Sequence, residues 1–403
     1  KFGLDDAPDL KRSTLYVQSG EIKGNPFYIA EDLVHKMGEK TYTGSITIHW
    51  TTTSRVNNRT VTNHHTQVLT ASINRPFPLY TEQSYLVYGN DAAPTLMFSR
   101  QDSNAEHLTE KQIDKLVNKE IKKLEKKSEK SISQGSNYTV LGNSEFEVLW
   151  GATNRNNEVQ FRMLFTPLAQ KQLLQLMKEK TIGFGDDFDF IKHKKINIII
   201  PEHLAQIKLN IAPSYFHDYD VDVIKTRFID YQNAYFRHLY FTFATVLAIP
   251  LYQQTKTQEY IYKDLYDSHV SFFEHEETVN KMDESLFKHP LSVTRNILKT
   301  NIVKTDEHTD IIKVTSYGFR TEPRIEYETR MGGDGRLHTI PIKWDEYIPV
   351  QNEASVGINI VDKPKELTPQ EKIKALVEDL RSKNIKPENA VVLTKFIAFI
   401  IKD

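Results

Sequence analysis

The tripeptide Gly185-Asp186-Asp187 contains residue types that could hold divalent metal ions. It lies between Phe184 and Phe188, and polymerases use a tight turn with apolar flanks to place two carboxylates on a metal pair. No basic groove or second aspartate motif accompanies it in the sequence. The sequence therefore favours a polar turn before a strand that starts at Phe188, with a metal role as the alternative.

A second candidate metal site consists of Asp218, Asp220 and Asp222. Their alternation places the three carboxylates on one face of an extended segment. A calcium loop of the EF-hand type requires Gly at its sixth position and Glu at its twelfth, where this chain has Val223 and Ile229. The sequence leaves a looser cation site as a hypothesis and favours a solvated acidic edge.

Four arginines form a candidate anion-binding site. They are Arg320, Arg324, Arg330 and Arg336. At one end of a hairpin, their guanidinium groups could bind phosphate or carboxylate groups bidentately. The alternative is a set of cross-strand ion pairs with Glu322, Glu326 and Glu328. The intervening Gly-Gly-Asp-Gly predicts a turn, because it lacks the strand-to-helix context of a phosphate loop.

Three histidines, His49, His64 and His65, could approach one another across a predicted hairpin. His64 and His65 are adjacent, so they point to opposite faces of a strand and only one of them can join His49. Zinc normally takes three or four protein ligands. The 403-residue chain has no Cys and no Gly-x-Ser-x-Gly segment. The residues therefore predict no catalytic site and no cofactor.

The elements that position these residues predict an α+β fold, with an antiparallel β-hairpin-rich body, inserted helices and a C-terminal helical hairpin. Polar and apolar residues alternate over 45–73, which predicts a long hairpin with an exposed Thr-rich face. Alternation of Phe146, Val148 and Trp150, and again over 159–165, predicts a second hairpin at 145–165. Further strands are predicted at 196–200, 311–316, 324–330 and 337–344.

Helices are indicated by capping residues and apolar spacing. Thr109 and Gln112 begin a Lys-rich helix that extends to about residue 132, and Thr166-Pro167 begins the next. A helix capped by Asp230 is predicted to end near residue 246. At the C-terminus, apolar spacing predicts one helix over 368–384 and another from residue 387, with Phe396 and Phe399 on its apolar side.

These patterns divide the chain into three predicted domains. They are a β-rich segment with the Lys-rich helix at 1–135, an α+β body at 136–362 and a C-terminal helical hairpin at 363–403. The composition, 39% hydrophobic and 26% charged, is that of a folded protein. The formal net charge of -1 gives no general electrostatic affinity for nucleic acid, so no nucleic-acid partner is expected.

Three short stretches resemble uncharacterised bacterial proteins of Gram-positive or mollicute origin. They are Tyr88–Pro94, Phe273–Glu276 and Phe319–Arg324. The resemblance extends from about residue 40 to 350, and it implies a bacterial source and an anchored protein. It implies no catalytic residues, because no activity is associated with that group.

The sequence predicts a non-enzymatic interaction or structural protein. The chain begins at Lys1 without Met, and we expect an N-terminal segment that anchors it to a membrane. This favours the membrane or surface of a bacterium as its location, and a protein partner or self-association as its mode of action. The alternatives are a carboxylate-dependent metallohydrolase and an anion-binding module that uses the four arginines.

Overall fold

The computed structural model describes residues 11–56, 59–133, 138–257, 270–306, 309–360, 378, 390–392 and 396–401. These residues form two antiparallel sheets and seven α-helices, which confirms the α+β fold class. The helices are α1 (Glu110–Ser133), α2 (Ser144–Trp150), α3 (Glu158–Leu164), α4 (Pro167–Lys178), α5 (Val221–Leu247), α6 (Pro250–Gln254) and α7 (Phe272–Asn280).

The first sheet has six strands in the order β1-β2-β3-β6-β5-β4. Two of them, β2 and β3, are much longer than the rest and pair from Phe27↔Tyr88 to Val56↔Arg59 without a register shift. The long hairpin predicted at 45–73 is therefore confirmed, and it is the outer part of a longer one. The strands are β1 (Lys11–Ile22), β2 (Asn25–Val56), β3 (Arg59–Gly89), β4 (Met97–Arg100), β5 (Phe188–His193) and β6 (Ile196–Pro201).

The second sheet has five strands in the order β10-β11-β9-β8-β7. Its centre is another long hairpin, β8 and β9, whose strands pair from Thr309↔Asn359 to Met331↔Leu337. This confirms the strands predicted at 311–316, 324–330 and 337–344. The strands are β7 (Ile297–Thr305), β8 (Thr309–Met331), β9 (Leu337–Ile360), β10 (Ala390–Val392) and β11 (Phe396–Ile401).

The helices cover the first sheet and enclose the largest core. Its centre is aromatic: Trp150 packs 5.0 Å from Phe165 and 5.7 Å from Phe190, ring centroid to ring centroid. The Lys-rich helix contributes Ile113, and α5 contributes Val246. The helix start predicted at Thr166-Pro167 is confirmed as the start of α4. Thr166 accepts a hydrogen bond from the Ala169 amide there.

Polar side chains fill much of the space where β1, α7 and β7 meet. Glu276 of α7 is 3% exposed, and its carboxylate accepts a hydrogen bond from the Thr14 amide at 3.0 Å and pairs with Lys299 at 2.9 Å. Burial raises the pKa of Glu276 above its ordinary value. Nearby, His275 lies 3.0 Å from the buried carboxylate of Asp310. These hydrogen bonds and ion pairs connect the first sheet to the second.

The hairpin predicted at 145–165 is wrong, because this segment forms the helices α2 and α3. Phe146, Leu149 and Trp150 are buried and are spaced three and four residues apart, which is helical spacing. The alternation of Phe146, Val148 and Trp150 includes only two members of that buried set. Asn143 and Asn157 cap the two helices by accepting amide hydrogen bonds, a signal that the alternation obscured.

The second helix of the predicted C-terminal hairpin is also wrong. Phe396–Ile401 forms β11, which pairs with β9 from Phe396↔Ile360 to Ile401↔Ser355 and buries Ala398. A short run of apolar residues has no clear period, so packing against the edge of β9 decides its conformation. The helix predicted at 368–384 lies outside the described residues, apart from Glu378.

Helix α5 begins earlier than the sequence indicated. Its N-cap is Asp220, which accepts a hydrogen bond from the Asp222 amide, so Asp230 lies inside the helix. None of the described helices is long and apolar enough to span a membrane.

Candidate functional site

The outer halves of the two long hairpins pack against each other and form an arm. We define the arm as residues 36–56 and 59–79 of the first ribbon and residues 320–331 and 337–348 of the second ribbon. Ile48 and Leu69 of the first ribbon form an apolar cluster with Ile340 and Ile342 of the second. Burial of these alternate residues holds the two ribbons face to face.

Polar contacts fix the position of one ribbon on the other. The Arg75 guanidinium of the first ribbon forms an ion pair with Glu326 of the second and lies 5.4 Å from the Trp344 ring centre. At the turn of the second ribbon, the Gly333 amide donates a 2.8 Å hydrogen bond to the Gln67 side chain. The arm is therefore a packed structure in which each ribbon supports the other.

The outer face of the second ribbon carries four exposed apolar side chains, interleaved with Thr329, Thr339 and Lys343. Its side chains alternate with the buried ones along β8 and β9. The four apolar ones are Ile325, Tyr327, Met331 and Leu337, and each is between 54% and 67% exposed. Isolated exposed apolar residues are common, but here four lie on one face of a narrow ribbon.

The solvent face of the first ribbon is polar and carries a ladder of hydroxyl groups. Thr43 and Ser72 lie 2.9 Å apart across the two strands, and His49 Nδ1 lies 3.0 Å from the Thr66 hydroxyl. His64 pairs with Thr51 and shares this face with His49, whereas His65 stacks on Trp50 on the other face. Only one of the adjacent histidines joins His49, as the strand geometry predicted.

The four candidate anion-binding arginines all belong to the second ribbon, but the ribbon does not gather them. Arg320 and Arg330 are ten positions apart on one strand, which separates them by about 33 Å. Arg324 lies 2.7 Å from Glu346 and 3.1 Å from Glu322, and Arg320 also pairs with Glu322. Arg336 follows the turn and is exposed. The ion-pair alternative fits Arg320 and Arg324 best.

The Gly185-Asp186-Asp187 segment forms a bend that leads directly into β5, which starts at Phe188 as predicted. Gly185 has a φ of 76° and abuts the Glu106 side chain, so the bend requires glycine. Asp186 is fully buried and accepts two 2.7 Å hydrogen bonds from Arg100. It also accepts hydrogen bonds from the amide and hydroxyl of Ser103. These donors occupy its carboxylate within the protein itself.

The neighbouring Asp187 makes a different set of contacts. Its carboxylate accepts a hydrogen bond from the His203 amide and lies 2.6 Å from His203 Nδ1. The other ring nitrogen of His203 is 3.2 Å from the Thr242 hydroxyl, and its ring stacks on Phe184. Both nitrogens of this buried histidine are thus held by the fold, as expected of a structural Asp–His pair.

Two polar clefts open beside this bend. One has a volume of about 350 Å³ and is lined by Asp102, Glu106 and Asp187 together with Lys180 and Arg237. The other, of about 440 Å³, includes Asp189, whose pKa is raised by burial and by the charge of Asp102. Within the described part of the chain, no group of three or more His, Asp or Glu side chains is arranged to hold a metal ion.

The three candidate aspartates at 218–222 lie at the start of α5. Asp220 caps the helix, and Asp218 accepts a 3.3 Å hydrogen bond from the Asp220 amide and pairs with Arg227 at 3.2 Å. Hydrogen bonds from backbone amides lower the pKa of Asp218. Burial opposes this effect, and the charge of Arg227 adds to it, so the pKa lies below its ordinary value. These contacts describe a capped helix start, so the three carboxylates do not converge on one point.

The sequence did not reveal the apolar outer face of the second ribbon. Along residues 324–330, charged and apolar residues alternate, and this pattern normally places the apolar side inside. Here the apolar residues of β9 fill the inner face, and Ile325 and Tyr327 of β8 point outward. The pairing register Tyr327↔Pro341 decides this, and sequence alone does not supply it.

No protein-family model, curated protein or solved structure matches this chain. The resemblance to uncharacterised bacterial proteins therefore stays a prediction.

Proposed function

We propose that this protein is a non-enzymatic interaction protein that uses its double-ribbon arm to dock a protein partner. The single observation that carries this proposal is the exposed apolar row Ile325, Tyr327, Met331 and Leu337 on the outer face of the arm. A solvated two-stranded ribbon has no internal need for apolar side chains on that face. Their burial by a partner would stabilise a complex by about 25 cal/mol per Å² of apolar surface.

The contacts of the candidate catalytic groups support the same proposal. Asp186 and Asp187 are held by Arg100 and His203, and Asp218 and Asp220 form the cap of α5. A hydrolase of the metal-dependent class needs carboxylates that converge on an open metal position. The favoured role is therefore docking, and attachment to a bacterial membrane stays a prediction that the sequence made.

The test is a photo-cross-linking amino acid placed at Tyr327 on the arm. Val159 of α3 serves as the control position, because its side chain is also exposed but lies on the helical layer. In cells of the source organism, we expect a discrete cross-linked species from position 327 and none from position 159. The same pattern from both positions, or no product from position 327, would contradict the proposal.

A further inference from the structure

Within the arm, β2 is the one strand without a proline. Proline interrupts the edges of β3, β8 and β9, because it has no N–H and projects its ring from the ladder. Within the arm, these residues are Pro76 and Pro78 on β3, Pro323 on β8, and Pro341 on β9. On β2, residues 41–54 contain neither proline nor a formal charge. The paired residues 61–74 of β3 share this composition, but β8 packs against that strand.

In the part of the chain that the structure describes, no strand pairs with this edge of β2 along the arm. The first strand, β1, pairs with β2 only as far as His35. From residue 36 to 56, β3 is the one strand that pairs with β2 among the described residues. Strand β9 lies over both β2 and β3, and β8 packs against β3, so the second ribbon leans toward the far edge.

The prolines also reveal which β2 residues point their backbone groups outward. Because proline cannot donate to a ladder, Pro76 occupies a non-hydrogen-bonded pair, and its partner Glu39 does too. The register has no shift between Glu39 and Arg55, so every odd-numbered residue between them directs its N–H and C=O away from β3. Along this edge, the described residues therefore present a regular row of backbone donors and acceptors to which no other described strand pairs.

We infer that this edge pairs with the same edge of a second copy of the chain, antiparallel and with a two-fold axis at Thr47. That register places odd-numbered residues opposite odd-numbered ones, which is the condition for hydrogen bonding between the two edges. It brings Glu39 of each copy opposite Arg55 of the other. The charges are complementary at both ends of the paired segment.

The side chains that face the second ribbon also match in this register. Ile46 of one copy meets Ile48 of the other, so the apolar cluster of the arm continues across the axis. Gly44 meets Trp50, a small residue against a large one. On the solvent face, Thr41 and Thr43 meet Thr53 and Thr51, and threonine pairs are favourable across strands. One register therefore satisfies backbone, charge and shape together.

This inference goes beyond the proposed docking role of the arm, because it concerns a strand edge rather than the apolar outer face. In wild-type chain at micromolar concentration, light scattering should give twice the 46.8 kDa chain mass. The variant Thr47→Pro removes an outward N–H without removing a hydrogen bond to β3, and it should be monomeric with an unchanged circular dichroism spectrum.

Val68→Pro is the matched control, because Val68 pairs with Thr47 and its backbone N–H points to the opposite edge of the ribbon, away from β2. It should remain dimeric. Glu39→Arg should weaken the dimer about tenfold or more, and adding Arg55→Glu should restore it. A wild-type monomer at about 100 μM would overturn the inference. The inference would also be overturned if Thr47→Pro still formed a dimer, or if adding Arg55→Glu to Glu39→Arg did not restore dimerisation.

The two proposals fail separately. A monomer that still cross-links through position 327 would remove the self-pairing and keep the docking role of the outer face. A dimer with no cross-link from position 327 would do the reverse.

Discussion

The ammonium group of Lys192 lies in the protein interior, where its surroundings determine its charge. It is 1% exposed, donates hydrogen bonds to the carbonyls of Ala92 and Lys194, and lies 5.5 Å from the Tyr252 ring centre. Burial lowers its pKa from 10.5 to about 7. A charged lysine in this position costs stability that the neutral form does not.

Stability should therefore rise with pH in a manner that depends on Lys192. Between pH 7 and 10.5 the unfolded chain binds a proton that the folded chain does not, so raising the pH favours folding. We expect wild type to gain about 1.4 kcal/mol per pH unit relative to Lys192→Met over this window. Below pH 7 the difference should be constant. Denaturant unfolding of both proteins at several pH values measures it, and parallel curves would contradict the prediction.

The buried ion pair between Arg100 and Asp186 leads to a second prediction at this scale. Both side chains are inaccessible to solvent, and the Arg100 guanidinium also lies 4.8 Å from the Trp150 ring centre. Arg100→Ala should destabilise the fold by about 3–5 kcal/mol, because it leaves a buried carboxylate without its partner. Lys123→Ala, which removes an exposed ion pair with Glu120, should cost less than about 1 kcal/mol. Equal losses in thermal unfolding would contradict this account.

The sequence displayed Asp186 and Asp187 as a recognisable motif but not what they contact. Arg100 is 86 positions away from Asp186, and His203 is 16 positions from Asp187. Residue types and local spacing show which side chains can bind a metal. They do not show which groups distant in sequence will form ion pairs with those carboxylates, because that depends on how β4 and β5 pair.

At the scale of single elements, the arm depends on close approach of its two ribbons. A Cβ atom on Gly44 would lie 2.3 Å from the carbonyl oxygen of Pro341, so the ribbons have no room for a side chain there. Gly44→Ala should force them apart and destabilise the arm by about 1–3 kcal/mol.

Hydrogen exchange of residues 320–331 and 337–348 would detect that separation as loss of protection. Gly142→Ala is the control, since a Cβ atom there would meet nothing within 4 Å. Unchanged protection of the second ribbon in Gly44→Ala would show that the two ribbons are not packed as described.

Elements with long, regular patterns were predictable, and short ones were not. The Thr-rich alternation over 45–73 and the stripe of α1 each repeat often enough to identify a strand or a helix. Residues 146–150 and 396–401 do not, because five or six residues fit either period. Their conformations are decided by the aromatic core around Trp150 and by the open edge of β9.

At the scale of the whole molecule, the arm makes the protein elongated. Residues 36–56 of β2 extend about 70 Å at the usual rise of a strand. A compact chain of 403 residues would have a radius of gyration of about 21 Å. Small-angle X-ray scattering of the monomeric variant Thr47→Pro should give a clearly larger value and a long tail of interatomic distances.

A variant in which a two-residue turn replaces residues 47–68 and another replaces 327–341 should lose that tail. Its core should still unfold cooperatively, because the core around Trp150 lies outside the arm. A scattering profile that the double shortening leaves unchanged would contradict the extended arrangement.

The unbroken passage of β2 from the body into the arm has a mechanical consequence. Tension on the tip is carried along covalent backbone until it reaches residues 25–35, where β1 pairs with β2. There the pull is parallel to the strands, so the hydrogen bonds along β1 are loaded in shear and share the force. The arm would then transmit the tension to the body before the paired strands of its own ribbons separate.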